Sequence, residues 1–232
     1  MDNIIIDGRL KAISDMICGD VIADVGSDHA YLPIWLYFNK KIKKAYALDI
    51  SENCVEKIKK NLKKYKIPEG VIIPVLSDGL SCFKTEYDFN ELTDIIIAGM
   101  GGKNIAEIIR QTPNRGLAKN INFIMQPTRK DEFLRDFLYK NKFDFTEIII
   151  EEGKWIYNII NAKFTGKVYE PTFMEVFAGK NITRAGYINN KIKRLNNLIK
   201  DLDKSTGDKY NIKTEFGYYG DIENLISELK KL

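Results

Sequence analysis

Short apolar runs alternate with longer amphipathic stretches through the first two thirds of the chain. In 9–18, Leu10, Ile13 and Ile17 recur at i, i+3 and i+7, which predicts a helix closed by Gly19. The run DVIADVG (20–26) is short enough for a buried strand, and a helix over 30–39 follows, with Pro33 tolerated in its first turn. The same reading gives strands over 43–50, 71–76, 93–100 and 121–127 and helices over 52–65, 101–110 and 129–140. Ser51 supplies the hydroxyl of a helix N-cap. Pro74 marks its strand as an edge, because proline cannot donate to a ladder.

The alternation then stops. DFTEIII-EEGK-WIYNIINAKF (144–164) reads as two strands joined by a tight turn at Gly153, a β-hairpin. Strands alternating with helices predict a doubly wound, mostly parallel sheet, and the hairpin adds an antiparallel last strand. The expected fold is therefore α/β, with the Rossmann-like sheet of class I methyltransferases. Residues 164–180 follow no placeable pattern. Beyond them, Ile188, Ile192, Leu195, Ile199 and Leu202 form a narrow stripe, Gly207 breaks it, and Ile222, Leu225, Ile226 and Leu229 resume it. Two such helices predict an antiparallel, coiled-coil-like pair. The expected division is a catalytic domain over 1–164 and a helical domain over 165–232.

Composition narrows the class. Hydrophobic residues at 44% and charged residues at 29% describe a soluble globular protein. No apolar run approaches the ~20 residues of a membrane span, and the N-terminus lacks the features of a signal peptide. Cys18, Cys54 and Cys82 form no CxxC pair and fit free thiols in a reducing cytoplasm. His29 is the single histidine, and without a Cys/His cluster no metal site is expected. The net charge of +4 is unevenly spread, with lysines concentrated at 40–44, 57–66 and 180–204. These are either solvated surfaces or a phosphate-binding face.

The stretch DVGSDHAYLP (24–33) carries the chemistry. A strand-to-helix turn can present backbone N–H groups and the positive end of a helix to a ligand. A dinucleotide turn would need further glycines, yet Asp28 and Ala30 stand where they would be. A carboxylate repels pyrophosphate but attracts a cation. S-adenosylmethionine has a sulfonium and an α-ammonium and no phosphate, so Asp24 and Asp28 suit it better than NAD. Asp49 ends the second strand, 25 residues after Asp24, where an acidic side chain can bind both ribose hydroxyls. Asp78 follows the third strand, within reach of an adenine amine. The loop AGMGG (98–102) offers no side-chain acceptor for an amine proton, which disfavours attack on an exocyclic amine and leaves ring nitrogens open.

In order and spacing, RL (9–10), ADVGSDHAYLPIWL (23–36), SDGL (77–80), IAGMGG (97–102), MQPTRKDEFLRDFL (125–138) and EEGKWIYNII (151–160) resemble the bacterial TrmK family. That family comprises S-adenosylmethionine-dependent methyltransferases acting on N1 of adenine 22 in the tRNA D-arm. The resemblance covers about residues 8–164. It implies that Asp24, Gly26, Ser27, Asp28 and His29 line the cofactor, that Asp49 with Ile50 holds the ribose, and that Ser77, Asp78 and Gly79 meet the adenine. Ala98 and Gly99 would border the cofactor, and Met100, Gly101 and Gln126 the target base. Thr128 stands where the family pattern leads one to expect Asn, which puts an amide role there in doubt.

N1 of adenine already carries a lone pair, so the enzyme need mainly position it once the base is unpaired. Asp28 is the expected stabiliser of the cationic product, His29 its orienting partner or a proton acceptor, and Tyr31 a stacking surface. Arg9 is a candidate phosphate or base contact. The helical pair either clamps RNA through Lys191, Lys193, Arg194 and Lys200 or merely docks on the rest of the protein. A monomer is the favoured state. A small-molecule methyltransferase and a non-catalytic S-adenosylmethionine-binding module remain open, with an NAD oxidoreductase a poor fit.

Overall fold

A computed structural model describes residues 4–112, 121–180, 184–202, 211–213 and 219–231, and for 198–202, 211–213 and 219–223 the backbone alone. In chain order these form α1 (Gly8–Asp15), β1 (Val21–Val25), α2 (Tyr31–Phe38), β2 (Lys44–Asp49), α3 (Glu52–Lys64), β3 (Ile72–Leu76), β4 (Asp94–Gly101), α4 (Gly102–Arg110), β5 (Asn122–Arg129) and α5 (Asp131–Lys140). The hairpin β6 (Phe143–Glu152) and β7 (Trp155–Phe164) follows, then α6 (Phe173–Ala178), α7 (Ala185–Leu202), β8 (Asn211–Lys213), β9 (Tyr219–Asp221) and α8 (Ile222–Leu229).

The main sheet has the order β3-β2-β1-β4-β5-β7-β6. Strand β7 runs antiparallel to both neighbours, and the remaining pairs are parallel. One row crosses the whole sheet: Val75, Leu48, Val25, Ile97, Met125, Ile160 and Glu147. The expected Rossmann-like sheet with an antiparallel last strand is the fold observed, and β3 with Pro74 is its edge.

Alternation of side chains along each strand sorts the core into two layers. Ala23, Val25, Leu48, Ile97 and Met125 pack on one face with Ile105 of α4 and Leu134 of α5. Ile22, Ala47, Ile96, Ile124 and Ile159 pack on the other with Ile13, Ile34 and Ile58 of α1, α2 and α3. The central strands are buried on both faces, which is why they read as continuous apolar runs.

Several expectations are corrected. Helix α1 ends at Asp15, not beside Gly19. Gly19 serves a close approach instead, since a Cβ there would lie 2.3 Å from Thr93. The amides of Cys18 and Gly19 both donate to the Asp94 carboxylate, at 2.9 Å. Ser51 gives no side-chain cap to α3; its amide donates to Asp49 Oδ1 at 2.9 Å. The unplaced segment contains α6, opened by a capping box in which Thr172 and Glu175 each satisfy the other's amide. The stretch AGMGG is not a loop: β4 runs through Gly101, with register shifts at Ala98/Met100 and Met100/Gly101.

The C-terminal helices share one apolar cluster with the sheet. Ile188 and Leu195 of α7 and Leu225, Ile226 and Leu229 of α8 pack with Phe177 of α6 and Ile149 of β6. Ile199, Leu202 and Ile222 of the expected stripe, and Gly207, lie outside the described side chains.

Candidate active site

The carboxyl ends of β1 and β2 converge on one mouth. Asp24 is the penultimate residue of β1 and is buried. Its Oδ2 accepts from Ser27 Oγ at 2.6 Å. Burial pushes its carboxyl up to about 6, against the opposing pull of the Ser27 hydroxyl and the Arg9 charge. Asp49, also buried, closes β2 and accepts from the amides of Asp28 (3.2 Å) and Ser51 (2.9 Å). Beside it Ile50 is 70% exposed, a large apolar side chain left in solvent at the rim. Asp78, two residues past β3, is exposed.

The turn between β1 and α2 uses its own amides. Gly26 and Ser27 donate to the Leu48 carbonyl at 2.8 and 3.0 Å, Asp28 donates to Asp49, and Ala30 donates to the Ser27 carbonyl at 2.9 Å. With those four N–H groups engaged, the turn is poorly built to cradle a phosphate. A buried carboxylate pair beneath it suits a cation carrying hydroxyl groups. The donor set therefore fits S-adenosylmethionine and disfavours a pyrophosphate cofactor. Asp28 (φ 49°) and Ala30 (φ 55°) are left-handed, a strain of about 1–2 kcal/mol each that the surrounding bonds hold in place.

Asp28 is tied toward α3. Its Oδ1 accepts from Cys54 Sγ at 3.3 Å and faces Lys57 Nζ at 3.2 Å, and its Oδ2 lies 3.3 Å from His29 Nε2. Burial would raise its carboxyl, but Cys54, Lys57 and His29 outweigh it and hold the group below the usual value. The His29 ring stacks on Tyr31, with centroids 5.1 Å apart and planes 8° apart, and Tyr31 faces solvent. Cys54 and Lys57 were not expected in this constellation. Their positions on the first turns of α3, facing the β1–α2 turn, are set by the fold.

The opposite wall comes from β4, β5 and α1. Gln126 is 1% exposed, and its Oε1 accepts from Arg9 Nη1 (3.0 Å) and the Gly99 amide (3.2 Å), while its Nε2 donates to the Pro127 carbonyl at 3.0 Å. Gln126 is buried, and its side-chain carbonyl holds both Arg9 and the Gly99 amide. Arg9 lies 5.6 Å from the centroid of the Tyr157 ring. Met100 covers the turn, since a Cβ on Gly26 would come within 2.4 Å of its Cε. Gly99 is left-handed (φ 78°) and Gly101 packs beside Arg129. Ala98 is partly buried at the same edge.

Ser77 is buried, and its hydroxyl donates to the Gly79 carbonyl at 3.0 Å, which shapes the turn after β3. Gly79 has φ 58°, and a Cβ there would strike Gln111 Oε1 at 2.3 Å. An apolar groove of about 960 Å3 between residues 4–8, Trp35 and Tyr65 lies apart from these residues, and its one acidic group, Asp7, caps α1.

Two cations of the expected RNA clamp on α7, Lys191 and Arg194, are engaged within the protein. The Lys191 side chain is 7% exposed and its ammonium lies 2.7 Å from Asp131. Arg194 makes a two-pronged bond to Glu132 at 2.8 and 2.6 Å. Beneath them Arg135, fully buried, bonds Glu147 (2.7 Å), Asp131 (3.1 Å) and Tyr187 (2.6 Å). A phosphate could not reach Lys191 without stripping a buried carboxylate of its partner. These cations fasten α7 to α5 and β6. Lys193 is exposed, and the Lys200 side chain lies outside the described part.

No His/Cys/Asp/Glu cluster among the described residues could hold a metal, and no described helix is long and apolar enough to cross a membrane. A family model described as a methyltransferase domain matches residues 6–160. The tRNA (adenine(22)-N(1))-methyltransferase of Bacillus subtilis (strain 168) is 32% identical over 165 residues, 70% of this chain and 67% of that protein. The structure of M. capricolum TrmK in complex with S-adenosyl-homocysteine is similar at a TM-score of 0.75 and 26% identity, covering 97% of this chain and 96% of that one. Streptococcus pneumoniae Sp1610 in complex with S-adenosyl-L-methionine gives 0.76 and 26%, over 98% and 99%. An acidic mouth with four of its turn amides engaged, on this sheet order and with these relatives, places the chain in the methyltransferase domain family and, within it, in the TrmK family.

Proposed function

We propose that this protein transfers a methyl group from S-adenosylmethionine to N1 of an adenosine in the tRNA D-arm, at position 22. The observation that carries the reading is the buried pair Asp24 and Asp49 under a turn in which the amides of Gly26, Ser27, Asp28 and Ala30 are spent internally. The cofactor, when bound, supplies an electrophilic methyl on a sulfonium. Asp24, polarised by Ser27, would face the cationic amino-acid end. Asp49 would accept from the ribose hydroxyls, with Ile50 as an apolar lid on the adenine and Asp78 accepting from its amine.

The target base enters unpaired, because N1 lies on the Watson–Crick edge. Gly99, Met100 and Gly101 would line its approach, since the bare backbone at Gly99 and Gly101 admits a flat ring. Methylation at N1 makes the ring cationic. Asp28 is the nearby carboxylate able to answer that charge, and His29 and Tyr31 form the stacked pair against which the base rests. Arg9, fixed by Gln126, would meet a phosphate or the base edge. Lys193 is a candidate phosphate contact. The protein is expected to act as a monomer in the cytoplasm.

Incubation of unmodified tRNA with methyl-labelled S-adenosylmethionine, followed by nuclease digestion and mass spectrometry, tests the reading. The expected product is 1-methyladenosine, lost when adenine 22 is replaced. Label on an exocyclic amine, or on a small molecule and no tRNA, would overturn it.

A further inference from the structure

The hairpin tip carries a feature that the methyl-transfer reading leaves unused. Trp155, the first residue of β7, is 58% exposed. The Lys154 ammonium lies 5.2 Å from the centroid of its ring. The tip is held stiffly: ten pairs join β6 to β7, from Phe143↔Phe164 to Glu152↔Trp155, and Gly153 (φ 59°) turns the chain.

Its position follows from register. Ile160 shares the cross-sheet row with Val25, at the start of the β1–α2 turn. Trp155 lies five residues beyond Ile160 toward the edge where the mouth opens. At about 3.3 Å per residue the tip stands about 17 Å above that row, three strand spacings of about 4.8 Å from β1. Its facing follows from the two-residue period. Ile159 packs with the α1–α2 layer, so Tyr157 and Trp155 lie on the same face. Tyr157 carries Arg9 above its ring, and Gln126 ties Arg9 to the Gly99 amide in the mouth. Gly99, Arg9, Tyr157, Trp155 and Lys154 thus form one continuous wall rising from the mouth. Glu152, the cross-strand partner of Trp155, is turned to the Gly8 amide at 3.1 Å, and Glu151 lies against Gly186 of α7.

We propose that this wall is an RNA contact in which the exposed ring of Trp155 stacks on an unpaired nucleobase near the target, with Lys154 and Arg9 answering the adjacent phosphates. An aromatic face flanked by cations is the chemistry that holds single-stranded RNA, and sheet-borne rings supply it without ordering a loop. An exposed tryptophan set on a rigid ledge suits stacking better than a lysine surface would, because its ring loses little freedom on binding. The inference rests on the tRNA methyltransferase reading for the identity of the RNA.

Two measurements on the full chain separate the proposal from that reading. In a Trp35→Phe variant Trp155 is the sole tryptophan, and titration with unmodified tRNA transcript is expected to quench its fluorescence. In turnover assays, Trp155→Ala is expected to raise KM for tRNA about 10- to 100-fold, the worth of one base–aromatic stack, with S-adenosylmethionine affinity unchanged. Trp155→Phe is expected to restore most of the loss, which a purely structural role at an exposed site would not predict. Unquenched fluorescence at saturating tRNA, or an unchanged KM in Trp155→Ala, overturns the wall. Fluorescence quenched by tRNA in a protein that methylates none would uphold the wall while sinking the reading beneath it. A concentration-dependent self-association lost in Trp155→Ala, without quenching by tRNA, would instead assign the surface to a second copy and overturn the proposal.

Discussion

Ser27 donates its hydroxyl to Asp24 at 2.6 Å, yet burial still pushes Asp24 up to about 6. The native state therefore binds this proton more tightly than the unfolded chain, whose carboxylate keeps the ordinary 3.8. Holding the group ionised above about pH 6 costs the ligand-free fold about 3 kcal/mol, and the cost is relieved as pH falls toward 4. Asp24→Asn is expected to be more stable than wild type at pH 8, with the difference vanishing near pH 4, and to bind S-adenosylmethionine poorly. Denaturant midpoints of both proteins across that range check this; a difference independent of pH would refute it. In wild type, cofactor affinity is expected to weaken as pH drops through 6.

Arg9 lowers Asp24 by its charge, and Gln126 fixes Arg9 in place. Arg9→Ala is expected to move the pH midpoint of cofactor binding upward, toward neutrality. It also leaves one of the bonds to buried Gln126 unmade. Loss of a charge-assisted bond of this kind costs the fold about 1.5–3 kcal/mol. Calorimetric titrations with S-adenosylmethionine at several pH values decide the first point, and an unmoved midpoint would separate Arg9 from Asp24.

Lys191 and Lys193 stand two residues apart on α7 and should behave oppositely. Lys191 is buried against Asp131, which its charge and that of Arg135 hold well below the usual carboxylate value despite burial. Lys191→Ala leaves a carboxylate short of a partner inside the protein and should destabilise the fold by about 3–5 kcal/mol. Lys193→Ala should leave stability unchanged; if Lys193 meets a phosphate, it should weaken tRNA binding and reduce the salt slope by about one. Thermal melts and binding at two salt concentrations distinguish them.

That pair also shows what the sequence could and could not convey. The sheet was legible because central strands buried on both faces are uninterrupted apolar runs, and the edge strand announced itself through Pro74. The placing of Asp24, Asp49 and Asp78 was legible because each lies at or just past the carboxyl end of an apolar run. The fate of Lys191 and Arg194 was not, because their partners Asp131 and Glu132 lie about 60 residues away and a basic stretch reads as solvated. The bonds of buried Gln126 were not legible for the same reason: Arg9 and Gly99, which they join, are remote in sequence. Helix α6 did leave a signal, Thr172 followed three residues later by Glu175, which the lack of apolar periodicity obscured. Strands β8 and β9 have three residues each, too few to show a period.

Two glycines at the mouth should fail in different ways. Gly26 has φ 75°, and a Cβ there meets Met100 Cε, the mobile end of a flexible side chain. Gly26→Ala therefore costs mainly its left-handed backbone, about 1–2 kcal/mol, while displacing Met100 from above the turn. Activity should fall more than stability does. Gly102, the first residue of α4, has no such relief: its Cβ would lie 2.2 Å from the Lys130 carbonyl, which is backbone and itself precedes α5. Either the β4–α4 junction or the β5–α5 turn must move. Gly102→Ala is expected to lower stability by about 3 kcal/mol, with activity at low temperature lost only in proportion to the unfolded fraction. Parallel melts and turnover assays check both, and a Gly102→Ala protein with wild-type stability would mean that the two helices are not wedged together at this point.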